Sequence, residues 1–130
     1  MKYALLLAAL LATPAMAQDR PDTTGWFADP ARLTQADGAT IYRAVCAACH
    51  MPDGQGATGA GHYPALAGNE NLAHANYPIH LIVHGQKAMP PVGEMLDDEQ
   101  VAVVVNYIRT HFGNDYAEAP ATAETVSAAR

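Results

Sequence analysis

The chain has little cysteine, little positive charge and no long uninterrupted apolar run. Of its 130 residues only two are cysteine, Cys46 and Cys49, so neither a disulfide framework nor an all-cysteine zinc tetrad can be built. Lysine and arginine together number 7 against 13 acidic residues, for a formal charge of −6 at pH 7. A surface of that sign disfavours nucleic acid and anionic lipid as partners. The longest apolar stretch, Tyr3 to Ala12, falls well short of the ~20 residues that span a bilayer, so no membrane span is expected in the mature chain.

That same stretch reads as an export signal. Lys2 supplies a positive start, and Ala15-Met16-Ala17 a small-x-small cleavage site, so residues 1–17 are expected to leave by a cut after Ala17. Losing Lys2 takes the formal charge from −6 to −7. The expected destination is a periplasm. Residues 18–33 follow as an irregular leader with Pro21, Gly25 and several aspartates around one apolar pair, Trp26-Phe27, which is expected to cover the core. Residues 34–113 have the length of one small domain. Residues 114–130, alanine-rich with few large apolar side chains, read as a loosely held tail.

The chemistry lies in Cys46-Ala-Ala-Cys49-His50. On a helical turn two thiols at this spacing lie on one side and suit the two vinyl groups of a porphyrin, while the adjacent imidazole turns a ring nitrogen to the iron. Cys46, Cys49 and His50 are thus candidates to attach and ligate one haem. The spacing also serves thioredoxin-like redox pairs and half-sites for zinc, but no βαβ pattern surrounds it and no other cysteine completes a tetrad. Thioether attachment would also keep the pair from forming a disulfide in an oxidising compartment.

Helical punctuation surrounds the motif. A first helix is expected from near Thr34 into the motif, with Ile41, Tyr42 and Val45 as its apolar stripe and Gly38 marking a close helix crossing. Met51 to Gly68 has no period and reads as a long loop. Within it Gly54-Gln55-Gly56-Ala57-Thr58-Gly59 matches the dinucleotide fingerprint, but it follows a cysteine-bearing helix and no helix opens after it, so the match is rejected. A short helix is expected over Glu70 to Ala75, and another from Asn76 or Tyr77 through His84, with Pro78 in its first turn and Gly85 past its end. His80 and His84 share a face there and are expected to be solvated or to prop the haem rim. The last helix should start at Asp97, with Gln100 completing a capping box, carry Val101, Val104, Val105, Ile108 and Phe112, and end at Gly113.

The second iron ligand decides the function. A closed sixth position suits electron transfer; an open one suits gas binding or catalysis. Of five methionines, Met1 and Met16 leave with the signal, and Met51 directly follows the histidine. Met95 precedes a helix cap, where apolar residues usually pack. Met89 sits in Lys87-Ala88-Met89-Pro90-Pro91-Val92-Gly93, where the prolines restrict the backbone and pre-order a weak thioether ligand. Met89 is favoured, with Met95, a histidine (His62, His74, His80 or His84) and an open site as the alternatives.

Taken in order, Gly38 and Tyr42 ahead of the Cys46 to His50 motif, Tyr63-Pro64-Ala-Leu66-Ala-Gly68-Asn69, Gly85, the Met89 loop and Asn106-Tyr107-Ile108-Arg109 resemble the class I cytochromes c. The resemblance covers roughly Thr34 to Phe112. It implies an all-α small cytochrome c fold of three to four helices around one covalently attached haem c. It further implies iron between His50 and Met89, a Pro64 carbonyl on the other nitrogen of His50, and Gly38 and Tyr42 meeting the last helix near Val104 and Tyr107. The commonest methionine loop, Met-Pro-Ala-Phe-Gly, is altered here to carry Pro91 and Val92. More loosely, the Tyr63 to Asn69 run and the Arg109-Thr-His-Phe-Gly113-Asn114 ending look like cytochrome subunits that serve periplasmic alcohol-type dehydrogenases. The expected function is therefore one-electron transfer by a protein that is not itself an enzyme. A periplasmic dehydrogenase would be its donor and a downstream cytochrome or terminal oxidase its acceptor, through a haem edge near Ala47, Ala48, Met51 and Pro90 to Val92. The alternative is a gas sensor or haem enzyme with an open or labile sixth site.

Overall fold

A computed structural model describes residues 32–59 and 61–130. The expected signal segment and the Trp26-Phe27 pair lie outside the described residues. The first helical stretch runs without a break through α1 (Gly38–Ile41), a π-turn (Tyr42–Cys46) and α2 (Ala47–His50). It starts later than the sequence pattern predicts. Asp37 caps it, its Oδ1 accepting the Thr40 N–H at 2.9 Å, which satisfies a donor that has no partner inside the helix. Ahead of that cap the carbonyls of Leu33 and Gln35 accept from the side-chain amide of Gln100 at 2.8 and 2.7 Å, which draws the segment away from helix.

The loop expected over Met51 to Gly68 contains a two-residue antiparallel ladder, β1 (Ala57–Thr58) with β2 (His62–Tyr63). Among the described residues the fold is thus helical with one small sheet rather than purely α. A 3₁₀ turn over Glu70–Ala73 replaces the expected short helix, and α3 (Asn76–His84) follows it. Gly85 closes α3 with φ +70°, and a side chain there would strike the Met89 carbonyl and the Pro90 and Pro91 backbone. A second 3₁₀ turn, Val92–Met95, leads to α4 (Asp98–Thr110).

α4 is the axis of the core. Its capping box is present as predicted, with Asp97 Oδ1 accepting from Gln100 N at 2.8 Å and Gln100 Oε1 from Asp97 N at 2.9 Å. Val101, Val104 and Val105 are fully buried and Ile108 nearly so; the run of β-branched residues is helical because α1, α3 and the C-terminal helix Ala123–Ser127 pack around it. The helix ends at Thr110, three residues before Gly113, and Phe112 and Gly113 turn the chain in left-handed backbone.

The expected loose tail is a packed strap. α5 (Ala123–Ser127), capped by Thr122, lies against α4 with Ala121 and Val126 buried. Composition concealed this because the strap is anchored by few apolar side chains and many hydrogen bonds. Asn106 exchanges two bonds with the Ala121 backbone at 2.9 and 2.8 Å. Arg109, 1 % exposed, donates to the carbonyls of Leu72, Ala73, Glu118 and Ala119 at 2.8 to 3.2 Å. Burial draws its pKa down.

Candidate functional site

The motif turn, the Pro64 loop, α3, α4 and the Met89 loop enclose two adjoining clefts. One, about 170 Å³, is lined by Cys46, His50, Leu66, Leu72, Ile82, Met89, Val104 and Ile108 among others. The other, about 440 Å³, takes in Cys49, His50, His62, Tyr63, Met89 and Pro90. One thiol of the pair thus borders each cleft. Five residues border both: His50, Pro64, Tyr77, Leu81 and Met89. Of these five, only His50 and Met89 carry a side-chain nitrogen or sulfur donor.

His50 is held by its neighbours. Its Nδ1 lies 2.9 Å from the Pro64 carbonyl, as the resemblance implied; that contact makes Nδ1 the N–H donor and leaves Nε2 with its lone pair free for a metal. Gly56 makes the approach possible. Its N–H donates to the His50 carbonyl at 3.0 Å, and a Cβ on it would collide with the Tyr63 carbonyl and the Pro64 backbone. Beneath the motif the buried phenol of Tyr42 donates to the Met51 carbonyl at 2.7 Å. Burial first, then the Cys46 thiol, Tyr107 and Asp53, push its pKa up to about 12. Burial likewise pushes the Cys46 thiol up to about 12, with Cys49 adding to it, so a free Cys46 stays protonated at neutral pH.

Met89 is half-buried at the clefts, its backbone paired with Gln86 by two 2.9 Å bonds. Met95 is 38 % exposed and borders neither cleft. Among the alternative ligands, His62 borders the larger cleft. His84 instead places its Nε2 2.7 Å from the Ala129 carbonyl and its ring lies tilted against that of His80, centroids 4.7 Å apart. His80 and His84 border neither cleft, so the pair does not prop its rim.

Several cleft residues were missed in the sequence. Tyr77 and Leu81 border both clefts; the i, i+4 spacing of these two residues was the available signal. Asn114 went unread as well. Its side-chain amide donates to the Leu66 and Ile108 carbonyls at 2.8 Å each and its Oδ1 accepts from Asn69 N at 3.1 Å, which ties the end of α4 to the cleft wall.

A thiol pair flanking an imidazole whose free nitrogen meets an apolar cleft, with a thioether on that cleft, defines a covalent haem site of the c type. The donor set and the apolar walls fit that group. Residues 33–108 match the family model described as cytochrome C oxidase, cbb3-type, subunit III, and the chain belongs to the cytochrome c family, whose cofactor is covalently bound haem c. It is 38% identical over 109 residues to the fructose dehydrogenase cytochrome subunit of Gluconobacter japonicus, covering 72% of this chain and 22% of that protein. It is 35% identical over 115 residues to the alcohol dehydrogenase (quinone) cytochrome c subunit of Gluconacetobacter polyoxogenes, covering 78% and 23%. With cytochrome c-552 of Thermus thermophilus it shares 40% identity over 98 residues, 63% of this chain and 64% of that one. The matched region is thus under a quarter of the dehydrogenase subunits' length. Electron transfer is the role the family carries. No helix among the described residues is long and apolar enough to cross a membrane.

Proposed function

We propose that this chain is an exported, single-haem electron carrier in which Cys46 and Cys49 would hold haem c by thioether bonds and His50 Nε2 and Met89 Sδ would ligate its iron. The observation that carries the reading is that His50 and Met89 are the nitrogen and sulfur donors bordering both clefts, while one thiol borders each. Bound there, haem c supplies a reversible one-electron couple. The protein's own part is to orient and to exclude water. The Pro64 carbonyl fixes the tautomer and plane of His50, and the Met89 loop presents a weak donor already ordered. Leu66, Leu72, Ile82, Val104 and Ile108 supply apolar walls that penalise the extra charge of ferric iron and so raise the potential, as a thioether ligand also does.

A raised potential makes the carrier an acceptor. Its donor in this reading is a periplasmic dehydrogenase, a choice supported by the names of its relatives, and its outlet is a downstream cytochrome or terminal oxidase. Electrons pass at the edge near Ala48, Pro90 and Pro91, which are exposed, and the formal charge, −6 before and −7 after the loss of Lys2, steers the chain to a basic patch on its partner. The relatives also favour a second version, a standing subunit of such an enzyme; co-purification with a larger protein at high salt would distinguish it from a diffusing carrier.

Carbon monoxide tests the ligation. The ferrous spectrum of the matured protein should not change under the gas, whereas Met89→Ala should bind it. Rapid binding by the unaltered protein would sink the closed-site reading and favour a sensor or haem enzyme.

A further inference from the structure

Two successive residues of the C-terminal strap grip the methionine loop at both of its ends. At the start of the loop, the Ala129 carbonyl accepts from His84 Nε2 at 2.7 Å, and His84 is the last residue of α3 before Gly85. At its far end the Arg130 guanidinium donates from Nη1 to the Gly93 carbonyl at 3.1 Å and from Nη2 to the Leu96 carbonyl at 2.9 Å, while Nε pairs with Asp98. These carbonyls belong to the 3₁₀ turn that follows Met89 and to the residue after it. Gly93 is buried, and a Cβ added to it would lie 3.1 Å from both the Ile82 carbonyl oxygen and the Val83 α-carbon, so the turn is packed closely on α3. Val126, fully buried against the core, anchors the strap just before it reaches the loop.

From this geometry we infer that Arg130, with Ala129, is a positioning element for the sixth iron ligand: the strap holds the 85–96 loop shut and thereby keeps Met89 on the iron. The inference rests on Met89 being that ligand. A thioether binds iron weakly, so the closed state depends on how little the loop gains by leaving. An external ligand sees only the fraction of molecules in which the site has opened, and its apparent binding scales with that fraction. Arg130 contributes charge-assisted bonds to three groups at once, a geometry lysine cannot copy. Removing it frees the end of the loop while leaving the cleft walls and the His50 contact in place.

The test is carbon monoxide binding to the ferrous, haem-loaded protein, beside the reduction potential and the thermal midpoint. Two variants are compared, Arg130→Ala and Gln100→Ala. Gln100 stabilises the fold through the cap of α4 and the carbonyls of Leu33 and Gln35 and makes none of these contacts with the loop. Arg130→Ala should bind the gas about tenfold faster or more, with a lowered potential. Gln100→Ala should lose thermal stability and keep both values. The inference is overturned if Arg130→Ala stays as closed as the unaltered protein, or if both variants gain gas binding in proportion to the stability they lose. If the unaltered protein already binds the gas freely, the Met89 reading falls and the clamp falls with it, and this outcome is distinct from a closed parent with a closed variant.

Discussion

Adding one methyl group at Gly38 sets two effects of opposite sign against each other. Alanine is favoured over glycine in a helix by up to about 1 kcal/mol, and Gly38 is the first residue of α1, so propensity alone predicts a more stable protein. Packing predicts the reverse. A Cβ at Gly38 would lie 2.5 Å from the Val103 carbonyl oxygen and 2.6 Å from Tyr107 Cβ. Both atoms are fixed on α4, so neither can swing aside as the tip of a long side chain would. To restore ordinary contact the two helices must part by somewhat under ~1 Å, and a gap of that size forfeits roughly a quarter to a half of the dispersion energy along the seam. Ile41, Tyr42, Val101, Val104 and Val105 are the buried side chains around it. Overpacking of this kind typically costs about 1–3 kcal/mol. Here, where both obstacles are backbone or Cβ, the loss should outweigh the propensity gain and leave a net cost of about 2 kcal/mol. Equilibrium denaturation of the haem-loaded protein should show a lower midpoint with unchanged slope, and the melting temperature should fall by roughly 8–16 °C. Gly59→Ala is the control: nothing lies within 4 Å of its added Cβ and its backbone is not left-handed, so its stability should stay within about 0.5 kcal/mol. A Gly38→Ala protein as stable as its parent would refute the packing argument.

Arg109→Met should destabilise by about 2–4 kcal/mol, since the carbonyls of buried Leu72 and half-buried Ala73 lose their donors. It should also speed proteolysis within residues 114–130, and Arg109→Lys should recover little because one ammonium cannot serve four carbonyls together. For Tyr42 the folded pKa of about 12 lies above the ordinary value of 10.0, so the unfolded chain gives up this proton first as pH rises. Its stabilising contribution is complete below pH 10 and declines between about 10 and 12. Burial, the largest cause, persists once Cys46 is a thioether. Tyr42→Phe should therefore flatten the alkaline limb of a stability-against-pH curve, and an unchanged limb would show that another group is responsible.

The motif Cys46 to His50, the cap at Asp97 with Gln100, and the bounds of α3 were legible along the chain because each is a local arrangement of neighbours. Asp97 and Gln100 are three residues apart and need nothing else to find each other. The resemblance placed the crossing of Gly38 near Val104 and Tyr107, and the contact falls on Val103 and Tyr107; a glycine announces a close approach, but the facing atom depends on where two axes meet. Likewise Thr34 to Ala36 had the composition to extend the first helix, and Gln100 took up the Gln35 carbonyl of that stretch and the Leu33 carbonyl just before it from across the fold.

The haem chemistry is written in local order along the chain, since thiol spacing and an adjacent imidazole are properties of one helical turn. The sequence also narrowed the second ligand to a few candidates. Only the tertiary structure put Met89 on the clefts and left Met95 outside them, because that choice depends on how the loop after Gly85 folds back against α3. Only the tertiary structure, too, turned an alanine-rich tail into a strap. Its anchors are Arg109, Asn106, His84 and Arg130 bonding mainly to backbone carbonyls between 9 and 45 residues away, and a carbonyl carries no mark of its partner in the residue that bears it.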